Sequence, residues 1–158
     1  MLEPAHWPSR RWHTAYEPFI AYGRSKTANA LFAVEFDRRH RSRGVRATAV
    51  HPGGILTELV RHMSEEAMQT MIASLDAERP AGTPKFELKS IPQGAATSVW
   101  AGFVASSDAV GGRYCEDCHV AEITENEAAR EGVRAYAVDS EAAKALWAKS
   151  EEMVGERF

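Results

Sequence analysis

A tyrosine and a lysine four residues apart are the side chains in this sequence best suited to acid–base chemistry. They are Tyr22 and Lys26 of Tyr22-Gly-Arg-Ser-Lys26, at the start of a run from residue 21 to residue 39 that predicts a helix. On a helix, side chains four residues apart leave the same face one turn from each other. A phenol titrates near pH ~10, and a neighbouring ammonium lowers its pKa by favouring the phenolate. The spacing therefore indicates a general acid/base tyrosine tuned by a lysine.

The same spacing also fits an ordinary helix that packs an aromatic ring and solvates an amine, so the surrounding sequence has to decide. The predicted helix is followed by a strand over residues 45–51 and by the turn His51-Pro-Gly-Gly54. This combination resembles the short-chain dehydrogenase/reductase family, in particular its retinol-dehydrogenase-like branch. The resemblance implies an α/β chain: the C-terminal part of a doubly wound Rossmann-type parallel-sheet domain that lacks the N-terminal dinucleotide-binding half.

The resemblance also assigns a cofactor, NAD or NADP, and residues that contact it. Tyr22 and Lys26 would contact the cofactor as well as transfer the proton. Four further residues would line its nicotinamide side: Pro52, Gly53, Ile55 and Thr57. Ligands of open α/β sheets collect beyond the strand ends, which is where this turn is predicted to lie. A plain turn into the next helix is the alternative.

Other parts of the family's active site have no counterpart in these residues. The eleven glycines form neither Gly-x-Gly-x-x-Gly nor the family's Gly-x-x-x-Gly-x-Gly. Ser9 precedes Tyr22 at a spacing common for the family's catalytic serine, but Pro8-Ser9-Arg10-Arg11 is typical of an exposed loop. We therefore expect this chain alone to be incompetent for the reaction.

The two cysteines lie in Cys115-Glu-Asp-Cys118-His119. This pattern matches covalent haem attachment and half matches a zinc or redox pair. A zinc site would need a second cysteine pair, and a redox motif would need a thioredoxin-like strand and helix around it. The sequence instead predicts two reduced thiols on or after a late strand, with no metal.

Four segments follow from these patterns: an irregular lead-in over residues 1–20; the active-site helix, strand and turn over 21–54; a substrate-covering lid over 55–89; and helices with the last strand over 90–158. Ser64 is a candidate cap for a methionine-rich helix in the lid. Ser90 and Gln93 predict a capping box. A tail helix is expected from about Ser140, with an inner side formed by Ala143, Leu146, Trp147 and Val154. The total is two strands and about four helices, and strand 45–51 would expose one apolar edge.

Composition sets the broad class. The 158 residues are 44% hydrophobic with a net charge of −3, which suits one folded domain. The absence of a long apolar run or a leader-like start predicts a cytoplasmic protein without a membrane span. Arginines cluster near residues 38–46, but a basic helix end explains them, so nucleic-acid binding is not expected.

Two functions from different classes follow. The first is an NAD(P)-dependent oxidoreductase by lineage, which acts on a hydrophobic carbonyl or alcohol. The second is a catalytically silent interaction module, because the family uses the active-site helix in a four-helix contact between subunits. Either way, the expected partner is a second copy in a homodimer or a separate chain that supplies the missing half.

Overall fold

The computed structural model describes residues 17–55, 57–58, 61, 63–77, 87–126, 129 and 131–158, without the side chains of residues 18, 19, 75 and 76. Most of the predicted lead-in, including Ser9, lies outside these residues. The chain divides into two compact units. The first contains residues 17–49, Gly111–Arg113 and Arg134–Phe158, and the second contains Val50–Val110 and Tyr114–Val133.

The first unit is built on two long helices, α1 (Pro18–His40) and α5 (Ser140–Val154), which pack against each other. Short 3₁₀ turns follow α1 at Arg41–Arg43 and precede α5 at Ala135–Val138. Helix α1 begins at Pro18, earlier than the predicted residue 21. A proline is tolerated at the first helical position because its missing N–H would have no helical partner there.

Aromatic rings fill the contact between the two helices. Trp147 of α5 is buried and stacks on Phe32 of α1, with ring centroids 5.5 Å apart, and it lies 6.3 Å from the ring of Phe36. The Arg39 guanidinium lies 4.6 Å from the Trp147 ring centroid. Small residues complete the core of this unit: Ala30, Ala33, Ala137 and Ala143. This packing fixes the C-terminal half of α1.

Two buried carboxylates on α1 are neutralised by arginines. Glu35 accepts hydrogen bonds from Arg38 at 2.6 and 2.7 Å and from Arg39 at 2.8 Å. Asp37 accepts a hydrogen bond from Arg46 Nε at 2.9 Å and another from the Ala47 backbone N–H at 3.1 Å. The basic cluster in the sequence is therefore used, in large part, to satisfy acids of its own helix and of the loop that follows.

The second unit contains α2 (Glu65–Ala77), α3 (Ile91–Val99) and α4 (Ser107–Val110). Helix α3 continues as a π-helical segment, Trp100–Val104, in which the Ala105 N–H donates to the Trp100 carbonyl. The predicted caps are present. The Ala67 N–H donates to Ser64 Oγ, and Ser90 and Gln93 form the reciprocal capping box.

Three short strands form one sheet in the order β1 (Ala49–His51), β2 (Tyr114–Glu116) and β3 (His119–Val120). Strands β2 and β3 are antiparallel and are joined by a two-residue turn. The sequence predicted two strands, with the first over residues 45–51, so β1 is shorter than expected and the hairpin partner β3 was missed. Strand β1 lies at an edge of this sheet, as expected. The α/β class is confirmed, while the Rossmann topology stays a prediction.

Val154, predicted on the inner side of the tail helix, is exposed. Val99 at the end of α3 and Phe103 in the π-helical segment are exposed as well, and Phe103 is 87% exposed. The predicted buried positions Ala143 and Trp147 are correct. Among the described residues, no helix is both long enough and apolar enough to cross a membrane.

Candidate functional site

Tyr22 and Lys26 lie one turn apart on α1, with both side chains exposed. The Lys26 Nζ atom is 5.1 Å from the centroid of the Tyr22 ring, within the range of a cation–π contact. The Tyr22 side chain is 54% exposed, so its hydroxyl can be reached from solvent. The structure thus brings together the two residues whose spacing predicted acid–base chemistry.

The helix presents this pair by burying a later part of itself. Ala30, Leu31 and Ala33 are buried, whereas the residues from Tyr22 to Lys26 are exposed. Within the exposed turn, Ser25 Oγ donates a hydrogen bond to the Tyr22 carbonyl at 2.7 Å. The first turns therefore carry Tyr22 and Lys26 on a helix whose later part packs against α5.

The turn after β1 carries three of the other predicted site residues: Pro52, Gly53 and Ile55. Gly53 has φ +87°, a left-handed conformation that favours glycine. Ile55 fits against helix α3 at Gly94, where an added Cβ would lie 1.9 Å from Ile55 Cδ1. Thr57 follows the turn with an exposed side chain. This turn belongs to the second unit, and Tyr22 with Lys26 to the first.

Lys89, which is not among the predicted site residues, contacts this turn, and Asp117 contacts Lys89. Lys89 pairs with Ile55 in a parallel bridge, and its N–H donates to the Gly54 carbonyl at 2.8 Å. Its ammonium forms an ion pair with Asp117, in the turn between β2 and β3. No local pattern could have revealed this pair, because the two residues are 28 positions apart. Lys89 lies at the end of the predicted lid, and Asp117 lies within the cysteine motif.

The cysteine motif forms the β2–β3 hairpin. Cys115 is buried on β2, and Cys118 is exposed in the turn; both are thiols, as predicted. Among the described residues, no group of three or more metal-ligating side chains is arranged to hold a metal ion. The Cys118 backbone N–H donates to Thr97 Oγ1 of α3 at 3.3 Å. The residues of the cysteine motif therefore serve to form the β2–β3 hairpin.

The residues present fit one end of a dinucleotide better than the other. Taken by itself, the Tyr22–Lys26 pair of the first unit offers a phenol and an ammonium, which suit a ribose. Taken by itself, the glycine turn of the second unit offers backbone groups of the kind that suit a nicotinamide carboxamide. A pyrophosphate is usually held at an uncapped helix N-terminus. Side-chain caps occupy N-terminal N–H groups of α3 and α5, at Ser90 and Asp139, and α2 begins with the acids Glu65 and Glu66. At α1, Glu17 makes no side-chain cap hydrogen bond and the first turn carries no acid. Because the sequence also contains no glycine-rich phosphate-binding pattern, the residues present fit the nicotinamide end better.

A shallow depression at the C-terminal end of α5 is unrelated to these residues. It is lined by Ala148, Glu151, Glu152, Gly155, Glu156 and Arg157. Three carboxylates and one guanidinium give it an acidic lining, which repels phosphates. The depression is not the dinucleotide site.

Comparison with known proteins finds relatives that are all named as oxidoreductases or dehydrogenases. The chain is 41% identical over 133 residues to a probable oxidoreductase of Streptomyces lividans, covering 84% of this chain and 44% of that protein. It is 36% identical over 140 residues to a short-chain dehydrogenase/reductase of Penicillium roqueforti, covering 88% of this chain and 39% of that protein. It is 31% identical over 150 residues to human retinol dehydrogenase 11, covering 95% of this chain and 41% of that protein.

The chain thus spans less than half the length of the relatives it matches, although nearly all of it aligns with them. No protein-family model matches it, and no solved structure is significantly similar to it.

Proposed function

We propose that this chain carries the proton-transfer pair and the nicotinamide-side turn of an NAD(P)-dependent oxidoreductase. The proposal starts from the finding that the chain belongs to the short-chain dehydrogenase/reductase family. The observation that supports this proposal most directly is the Lys26 ammonium beside the exposed Tyr22 ring, at 5.1 Å from the ring centroid. The proposed substrate is a hydrophobic carbonyl or alcohol. The proposed reaction needs a further dinucleotide-binding part, which supplies the phosphate contacts.

In the reducing direction, Tyr22 Oη donates its proton to the substrate's carbonyl oxygen, so that the carbonyl becomes an alcohol. The reduced dinucleotide, when bound, supplies the hydride for the carbonyl carbon. Loss of that proton leaves a phenolate on Tyr22, beside the ammonium of Lys26. The same ammonium would donate hydrogen bonds to ribose hydroxyls. In the oxidising direction Tyr22 accepts the alcohol proton.

The turn at residues 52–55 has a separate proposed role. Pro52 and the left-handed Gly53 would shape the turn, and the backbone groups of Ile55 would meet the nicotinamide carboxamide. Thr57 would lie near the phosphates. Its hydroxyl is a suitable donor, but a single hydroxyl supplies much less than a glycine-rich phosphate-binding loop.

The test is a two-part turnover assay. The chain is mixed with the dinucleotide-binding part of the Streptomyces lividans relative, and NADH or NADPH oxidation is followed with a panel of hydrophobic aldehydes. We expect turnover in the mixture that falls by about 100-fold or more in Tyr22→Phe, since general acid catalysis contributes ~10²–10⁴-fold. The matched control is Tyr136→Phe, an exposed tyrosine on the 3₁₀ turn before α5 in the same unit.

Equal turnover in Tyr22→Phe and Tyr136→Phe would refute the assignment of Tyr22. Binding of the two parts without any turnover would favour the alternative, a catalytically silent interaction module. That alternative draws support from the apolar side chains exposed in the second unit, of which Phe103 and Val104 are the most prominent.

A further inference from the structure

The turn at residues 52–55 is held in place by a residue far from it in sequence. The Lys89 side chain lies directly against Gly53: an added Cβ there would be 2.8 Å from Lys89 Cδ, Cε and Nζ. The methylenes of Lys89 therefore cover one face of the turn in close contact. A side chain at position 53 would push Lys89 away, in addition to the strain of φ +87°.

Backbone contacts add to this packing. The Lys89 N–H donates to the Gly54 carbonyl at 2.8 Å, and Ile55 and Lys89 pair in a parallel bridge. Lys89 thus contacts three consecutive residues of the turn, Gly53, Gly54 and Ile55, through both its backbone and its side chain. Ser90, the next residue, caps α3, so the contact to the turn is continuous with a helix start.

The far end of the Lys89 side chain is fixed by Asp117. Asp117 and Cys118 are the two central residues of the β2–β3 turn and have φ of +43° and +59°. Such turns usually place asparagine or glycine at these positions, because a positive φ is unfavourable for other residues. The hydrogen bond from the Cys118 N–H to the buried Thr97 on α3 holds the turn against that cost.

The electrostatics of Asp117 agree with this arrangement. The hydrogen bond from Lys89 lowers the pKa of the Asp117 carboxyl, although burial acts in the opposite direction, and the positive charge of Lys89 adds a smaller lowering. The carboxylate is therefore ionised at neutral pH and available to hold the ammonium.

We propose that Lys89, anchored by Asp117, is a positioning residue that holds the turn at residues 52–55 in the conformation that receives the nicotinamide. The inference rests on the proposed function only in what the turn binds. The side chains of Lys89 and Asp117 are 27% and 52% exposed, so their charges alone contribute weakly. Most of the stabilisation of the turn therefore comes from the packing of the Lys89 methylenes on Gly53.

The experiment measures hydrogen exchange of the Gly53, Gly54 and Ile55 amides by NMR in the intact chain. We expect Lys89→Ala, which removes methylenes and charge, to speed exchange about tenfold. Lys89→Met keeps most of the methylenes and should speed exchange about threefold, in keeping with a weak ion pair. Asp117→Asn should match Lys89→Met, and the double variant should add little, because both changes break one interaction.

Lys144→Met is the matched control, since Lys144 also pairs with an acid, Glu141, but on the surface of α5. It should leave the turn amides unchanged. Two further readouts separate positioning from general stability. The thermal unfolding temperature should stay nearly constant in Lys89→Met, and the pKa of Asp117, followed by carboxyl NMR, should rise in that variant.

Unchanged exchange of the three amides in Lys89→Ala would overturn the proposal. NADH titrations of the same variants separate it from the proposed function. If the wild-type chain binds NADH and Lys89→Ala binds equally well despite a faster-exchanging turn, the positioning role is wrong and the proposed function stands. If the wild-type chain binds no NADH, the proposed function is in question, and the exchange rates alone decide whether Lys89 holds the turn.

Discussion

Glu35 is a buried acid on α1, with only 1% of its surface exposed. Hydrogen bonds from Arg38, and then from Arg39, lower the pKa of its carboxyl from 4.5 to about 2, although burial acts in the opposite direction. Removing a buried carboxylate from such a network leaves the guanidinium groups without their acceptor. Glu35 therefore stabilises the helix that carries Tyr22 and Lys26.

The sign of its pH dependence follows from that lowered pKa. The stabilising contribution of Glu35 is fully present above pH 4.5 and is lost as the pH falls toward about 2. We expect Glu35→Gln to lower the free energy of unfolding by about 2 kcal/mol at neutral pH. Urea unfolding at a series of pH values should show the two proteins converging in stability near pH 2.

The control is Glu141→Gln, which changes an exposed acid paired with Lys144. It should lower the free energy of unfolding by less than about 1 kcal/mol. A constant gap between wild type and Glu35→Gln at all pH values would contradict this account.

At the scale of elements, α3 fixes the position of the candidate cofactor turn through Gly94. An added methyl group there would meet Ile55 Cδ1 at 1.9 Å and Cγ1 at 2.7 Å. Alanine favours a helix over glycine by about 1 kcal/mol, whereas overpacking a filled contact costs about 1–3 kcal/mol. The two effects on the free energy of unfolding oppose each other. Because the contact with Ile55 is so close, we expect overpacking to outweigh the gain in helix propensity.

We therefore expect Gly94→Ala to lower the free energy of unfolding by about 1 kcal/mol and to shift the NMR signals of Ile55 and Gly54. The control is Gly102→Ala in the π-helical segment, where no atom lies within 4 Å of the added Cβ. That variant should leave the turn signals unchanged. A Gly94→Ala protein with a wild-type turn spectrum would show that Ile55 is not held by this contact.

Local patterns predicted the helices and their caps well, for physical reasons. The capping box of Ser90 and Gln93 and the cap at Ser64 involve residues three apart, so the sequence contains the whole interaction. The Tyr22–Lys26 contact was predictable for the same reason. The family membership predicted from that helix and the Pro-Gly turn is confirmed by the relatives.

Interactions between distant residues were not predictable. The Lys89–Asp117 ion pair joins the end of the lid to a hairpin, and strand β3 forms only because residues 117–118 turn back on β2. The exposure of Val99 and Phe103 also has no local signal, because helical periodicity identifies an apolar face without identifying what covers it.

At the scale of the whole molecule, the chain spans less than half the length of the relatives that it matches. Strand β1 lies at the edge of the described sheet, and Ile91, Val99, Phe103 and Val104 expose apolar surface in the second unit. Such edges and patches are a common feature of binding surfaces, so we propose that further polypeptide binds here. A dinucleotide-binding part is the partner that the proposed function requires.

The most direct test of this account is an NMR titration of the chain with NADH and with NADPH, which measures the affinity and maps the perturbed amides. We predict weak, saturable binding that perturbs Lys26 and the turn at residues 52–55. Binding should weaken strongly in Lys26→Ala and stay unchanged in Lys144→Ala, an exposed lysine on α5. Absence of saturable binding, or equal affinity in Lys26→Ala and wild type, would contradict the proposal that Lys26 takes part in binding the cofactor.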